Sequence, residues 1–108
     1  MANKLERVQV DFNGKEVTCA KFTIEDTTIP FVLKKIMTTG EEYTFSLYIK
    51  SDSSSSIIVA EKDIESPMEW KHSYVQFTAA GDKLEIVFGK TGTYYLYNLS
   101  LIHISEPT

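Results

Sequence analysis

The sequence predicts an all-β chain, an antiparallel β-sandwich, jelly-roll-like, of about eight strands. Three observations carry that expectation. Apolar and polar residues alternate with a period of two in segment after segment, as in VQVDF, TFSLYIK and YVQFTA. Turn-forming groups, among them Asn13-Gly14, Thr38-Thr39-Gly40 and Ala80-Gly81-Asp82, punctuate those runs at short intervals. No stretch shows the 3.6-residue period of a long amphipathic helix.

The first two strands are read from RVQVDF and the segment after it. Val8, Val10 and Phe12 alternate with Arg7, Gln9 and Asp11, and Asn13-Gly14 suits a type I′ turn, whose two central residues need positive φ. A two-residue loop pairs Phe12 with Lys15, Val10 with Val17 and Val8 with Cys19. That shared face, Cys19 included, is expected to point inward. A strand through Phe22 and Ile24 ends at EDTT, and PFVLKKIM resumes extended chain behind Pro30, whose missing N–H does no harm at a strand start. In EYTFSLYIK, Tyr43, Phe45, Leu47 and Ile49 take one side, and Thr44, Ser46, Tyr48 and Lys50 the other. SDSSSS reads as a polar loop, SIIVAEK as one short strand and DIESPMEW as a longer connection. Val75, Phe77 and Ala79 then share a phase, as do Leu84, Ile86 and Phe88, before Gly89 to Gly92 turns the chain into TYYLYN.

At 108 residues the chain fits a single domain, large enough to bury roughly 65% of its unfolded surface. Hydrophobic residues make up 43% and charged residues 24%, the balance of a folded globular domain. A net charge of −4 argues against nucleic acid as the partner, since that needs clustered Lys and Arg, and Lys34-Lys35 is the one basic pair. No apolar run approaches the ~20 residues of a membrane span, so no membrane insertion is expected. MANKLERVQV lacks the long apolar segment of a signal peptide, which leaves localisation unassigned. The single cysteine, Cys19, can form no internal disulfide and reads as a small buried apolar residue rather than a nucleophile.

Beyond these local readings, the block EEYTFSLYIKS…EWKHSYVQFTAAGDKLEIVFGKTGTYYLYN resembles carbohydrate-binding-module-like jelly rolls. Such domains are attached to secreted polysaccharide-degrading enzymes and are frequent in phage tail and baseplate proteins. The residues that carry the likeness are Tyr43-Thr44-Phe45-Ser46 ahead of Lys50-Ser51, then Glu69-Trp70, Phe77-Thr78-Ala79 and Gly92-Thr93-Tyr94-Tyr95. The resemblance implies a sandwich fold and places Trp70 as a packing residue, in core or rim, at a strand start. It also implies an Asp in the last strand that helps hold a structural calcium; Tyr97 stands there instead, so no cofactor is expected.

The ending, LSLIHISEPT, resembles a translated sequencing adapter. The expected organisation is therefore a β-sandwich domain over residues 1–98, truncated at its C-terminus, with a non-native tail over 99–108 whose Leu99 and Leu101 can still complete the last strand. Setting that tail aside removes His103 and leaves His72 as the one histidine. It also takes most of the Asn98-Leu99-Ser100 glycosylation sequon out of consideration.

Neither GxxxxGK[ST] nor GxGxxG occurs. One cysteine and one histidine cannot build a zinc site, and no nucleophile elbow accompanies the many serines. No catalytic or metal-binding residues are assigned, and the domain is expected not to be an enzyme. Sugar binding asks for aromatic rings against pyranose C–H faces, with polar groups beside them for the hydroxyls. Tyr48, Tyr74 and Tyr94 are read as lying out of phase with the core and so facing outward. Trp70 joins them as a rim candidate, and Gln76, His72, Glu85 and Lys50 are candidate hydrogen-bonding neighbours. The function expected is a non-catalytic module that binds glycan through outward aromatic residues, within a larger phage or secreted protein. The alternative is a structural domain packing against neighbouring subunits of a virion or oligomer, including a homodimer through an exposed sheet edge.

Overall fold

In the computed structural model, residues 3–33 and 37–104 are described; the basic pair Lys34-Lys35 lies outside them. Nine strands build two antiparallel sheets, with no helix among the described residues. In chain order they are β1 (Lys4–Phe12), β2 (Lys15–Ile24), β3 (Phe31–Leu33), β4 (Glu42–Ser51), β5 (Ser55–Val59), β6 (Lys62–Ser66), β7 (Lys71–Thr78), β8 (Leu84–Phe88) and β9 (Gly92–His103). The five-stranded sheet has the order β1-β2-β9-β4-β7, and the four-stranded sheet β3-β8-β5-β6.

The ninth strand comes from a hairpin that sequence reasoning ran together. SIIVAEK is not one strand: Ala60 and Glu61 both adopt positive φ, 51° and 65°, and turn β5 back into β6. Neither residue advertises a type I′ turn, which Asn and Gly normally occupy. The turn holds because it sets Ile57 opposite Ile64, and both are buried. The serine run is likewise shorter as a loop than its composition suggests, since Ser51 closes β4 and Ser55 and Ser56 open β5.

Between the sheets the core follows the two-residue period. Phe45, Leu47 and Ile49 of β4 meet Ile57 and Val59 of β5 and Ile86 and Phe88 of β8, all nearly free of solvent. Phe22 and Ile24 of β2 and Tyr94 and Leu96 of β9 complete it from the larger sheet. The β9 pairing with β4 continues to Tyr43 opposite His103, and Leu99 and Leu101 pack against the core. Asn98, at φ 57°, makes this possible. It sits at a register shift, and the extra residue of the bulge returns Leu99 and Leu101 to the inner face after Tyr95 and Tyr97 have pointed outward.

The β1–β2 hairpin has the register expected from its turn, with Phe12 opposite Lys15, Val10 opposite Val17 and Val8 opposite Cys19. Its facing is the reverse of the expectation. Ala20, Phe22 and Ile24 belong to the inner phase of β2, so Cys19, Val17 and their partners Val8, Val10 and Phe12 lie on the outer face. Cys19 is still only 5% exposed. Burial pushes its thiol above the ordinary value, while the Lys50 ammonium on the same face opposes the shift. Cys19 is therefore expected to react slowly with an alkylating reagent in the folded protein and at the rate of a free thiol in denaturant. A thiol-quantification time course reads this, and equal rates in the two states would show the outer face to be open at Cys19.

Candidate functional site

The outer face of the five-stranded sheet carries the aromatic residues that the core does not use. Alternation in β4 turns Tyr48 and Lys50 outward, and the pairing of Tyr48 with His72 puts that histidine beside it on β7. The rings of Tyr48 and His72 stack, with centroids 4.6 Å apart. Tyr97 of β9, opposite Tyr48, lies 6.1 Å from it. Trp70, just before β7, is 6.2 Å from Tyr97.

Phe12 closes this group from the far side of the sheet. β1 and β4 are three strand spacings apart, about 14 Å if the sheet were flat. Yet the Phe12 ring sits 4.8 Å from Tyr48, 4.9 Å from Tyr97 and 5.4 Å from Trp70. The sheet must curl, and the pairing shows where. β2 pairs with β9 only from Ala20 to Ile24, so the outer half of the β1–β2 hairpin is free to bend over the face. Trp70 holds it there, its indole Nε1–H donating to the Asp11 carbonyl at 3.2 Å.

Beyond the cluster, Tyr74 lies two residues along β7 from His72 and is 66% exposed, with Ser46 as its cross-strand neighbour. Gln76 comes next on the same face, opposite Thr44. A shallow cavity of about 250 Å³ continues round this sheet edge, lined by His72, Tyr74, Asp63, Glu65 and Lys71 among others. Glu65 accepts a hydrogen bond from the Lys71 ammonium at 2.9 Å, which, with that charge, holds its carboxyl below the usual carboxylate range. Along the face in the other direction, the Lys50 ammonium lies 5.2 Å from the centre of the Trp70 ring and 5.3 Å from that of Tyr95.

Of the residues read as candidates, the structure brings Tyr48, His72, Trp70, Tyr74 and Gln76 onto one face. Two do not belong there. Tyr94, expected outward, is 1% exposed in the core, and its hydroxyl donates to the Lys90 carbonyl at 2.8 Å and shares a hydrogen bond with Ser55. A buried tyrosine stays buried when its O–H finds such partners. Glu85 projects from β8 in the opposite sheet, between inward Leu84 and Ile86, and so faces solvent on the other side of the sandwich. Trp70 is half-buried in the outer cluster and takes no part in the core.

Sequence reasoning missed Phe12, Tyr95 and Tyr97. For the tyrosines a signal existed. In TYYLYN the aliphatic Leu96 marks the inner phase, and Tyr94 shares it, which leaves Tyr95 and Tyr97 outward. Phe12 offered no such cue, because an apolar ring in an alternating strand reads as core whichever side is covered. Among the described residues, no group of three or more His, Cys, Asp or Glu side chains is disposed to hold a metal ion.

No protein-family model matches the sequence, and no curated protein matches it. The fold, in contrast, has clear counterparts among solved structures. One is the Clostridium thermocellum endo-1,4-β-D-xylanase 10B, whose CBM22-1 and GH10 modules were solved with xylohexaose (TM-score 0.68, 14% identity, 98% of this chain and 26% of that one). A CBM4 module matches with TM-score 0.63 at 14% identity over 93% of this chain and 78% of that one. The tailspike protein 4 of bacteriophage CBA120 matches at TM-score 0.57 and 9% identity, over 94% of this chain and 19% of the tailspike. The chain has the all-β sandwich fold of carbohydrate-binding modules.

Proposed function

We propose that this domain binds carbohydrate on the outer face of its five-stranded sheet, as a non-catalytic module of a larger phage or secreted protein. The observation that carries the reading is Tyr74, a large ring 66% exposed on a sheet face that already gathers Tyr48, His72 and Trp70. A pyranose needs such a ring for its C–H face and polar neighbours for its hydroxyls, and Ser46, Thr44 and Gln76 stand beside it. The fold likeness supports the reading from outside: the same sandwich serves as a CBM4 module and accompanies a GH10 module in a xylanase, and it recurs in a phage tailspike.

Tyr74→Ala is the test. The exposed ring supports nothing in the core, so the melting temperature is expected to stay within a degree or two, while retention on polysaccharide falls about tenfold. Affinity electrophoresis of both proteins through a panel of embedded polysaccharides measures it. Undiminished retention of the variant would remove Tyr74 from the site. Self-association that Tyr74→Ala abolishes, with no retention on any glycan, would instead assign this face to subunit packing.

A further inference from the structure

The geometry points to an anionic sugar, carboxylated or sulfated, as the ligand of this face; the inference rests on the carbohydrate-binding reading and names its substrate class. The carriers are Lys21 and Lys50, which flank Tyr95 on three neighbouring strands: Lys21 pairs with Tyr95 across β2 and β9, and Lys50 pairs with Tyr95 across β4 and β9. All three side chains emerge on the outer face, and all three are half-buried.

What sets these lysines apart is partial burial without a counter-charge, since every other described Lys and Arg is exposed. Exposed Lys71 reaches Glu65 at 2.9 Å, and exposed Lys4 reaches Glu6 at 3.9 Å. Neither Lys21 nor Lys50 makes an ion pair among the described residues. Glu6 lies opposite Lys21 on β1, yet its carboxylate turns to Lys4. Lys50 instead rests over two ring faces, those of Trp70 and Tyr95, with the buried Cys19 thiol within reach of its field. A ring quadrupole attracts an ammonium but accepts little of its hydrogen-bonding capacity, which amounts to three N–H donors. Neither Nζ is sealed from solvent, so each can take the acceptor and the counter-charge it lacks from an incoming anion.

An acidic sugar supplies both missing parts at once. Its ring can pack on the aromatic groups, while its carboxylate or sulfate accepts charge-assisted hydrogen bonds from Lys50 and feels the field of Lys21. A neutral pyranose offers hydroxyl acceptors but no counter-charge for the two ammonium groups. The overall charge of −4 makes the local arrangement more telling, because a chain repelling acidic polymers elsewhere must concentrate its attraction here.

The experiment compares retention on polygalacturonate, a sulfated galactan and neutral xylan at low and high salt. The expected result is about tenfold or stronger binding to one of the acidic polymers than to xylan, the size of a single charge-assisted hydrogen bond. The two acidic arms decide between carboxylate and sulfate. The preference should shrink in about 1 M salt, where charges are screened within about 3 Å. Lys50→Met should collapse the acidic-to-neutral ratio and Lys50→Arg should keep it; Lys21→Met gives a second reading if the first variant folds poorly. A neutral preference, or a ratio unchanged in Lys50→Met, would overturn the inference while glycan binding stands. Retention on no polysaccharide, neutral or acidic, would overturn the carbohydrate-binding reading and this inference with it.

Discussion

A chain ended at Asn98 is expected to lose about 4 kcal/mol of stability and to self-associate. The loss comes from where the last segment lies. From Ser100 to His103, β9 pairs with Ser46 back to Tyr43, so β4 would lose its neighbour along half its length. β4 is interior to the five-stranded sheet, between β9 and β7, and it supplies Phe45, Leu47 and Ile49 to the core. Each ladder hydrogen bond contributes about 0.5–1.5 kcal/mol net, and Leu99 and Leu101 add the burial of two aliphatic side chains. The exposed β4 edge would then offer unpaired N–H and C=O groups to another copy. Urea denaturation and light scattering of the full and shortened chains measure both effects. Equal midpoints and a monomeric shortened chain would show that the pairing of residues 100–103 contributes nothing. These contacts are a property of the residues present, irrespective of where the segment originated.

Phe12→Ala is expected to cost about 3 kcal/mol, within the range for truncating a packed phenyl ring, and to weaken glycan retention as well. Phe12 contacts three rings at once, and its strand is otherwise tied to the sheet on that side only through β2. Without it, the outer half of the β1–β2 hairpin keeps its own ladder and the Trp70–Asp11 hydrogen bond, a marginal set for two strands in water. Amide exchange should therefore quicken across residues 8–12 and 15–19 more than across 43–49. Retention should fall because Tyr48 and Trp70 lose the wall that fixes their orientation, and an unfixed ring must be ordered at binding. Phe12→Leu, which keeps bulk but not ring-to-ring geometry, should fall between the two. Uniform quickening of exchange over the whole chain would mean that the hairpin unfolds with the core rather than as a separate arm.

Two ionised groups set a small acid dependence. The Asp26 carboxyl is held below its usual range by hydrogen bonds from the Thr28 side chain and backbone, and Glu65 by Lys71. Both are depressed in the folded state, so each contributes above its unfolded pKa and is lost as pH falls through its folded one. Both lie at the surface, where solvent screens them. Thermal melts between neutral pH and pH 3 should show only a gradual decline from these two sites.

The layered β architecture was legible in the residues alone, because a side-chain period of two is imposed by extended backbone wherever one side must be buried. Asn13-Gly14, whose backbone demands positive φ at both positions, likewise fixed the β1–β2 register, and apolar residues at every second position marked the core faces of β4 and β8 and of β7 from Val75 onward. The outer phase singled out Tyr48 and Tyr74, with His72 and Gln76 as polar neighbours, while Trp70 was placed by resemblance.

Which side of each strand another layer covers was settled by the packing of the two sheets on each other. Alternation defines two faces and leaves them unlabelled, so the hairpin with Val8, Val10, Phe12, Val17 and Cys19 could be assigned to the core when it belongs to the outer face. The same ambiguity sent Tyr94 outward on paper and inward in the molecule, and gave no sign that Glu85 stands on the opposite sheet. Nor does local pattern encode the bulge at Asn98 or the early end of β2–β9 pairing. Those two irregularities curl the sheet and carry Phe12 across three strand spacings to Tyr48, and that meeting depends on contacts between residues far apart in the chain.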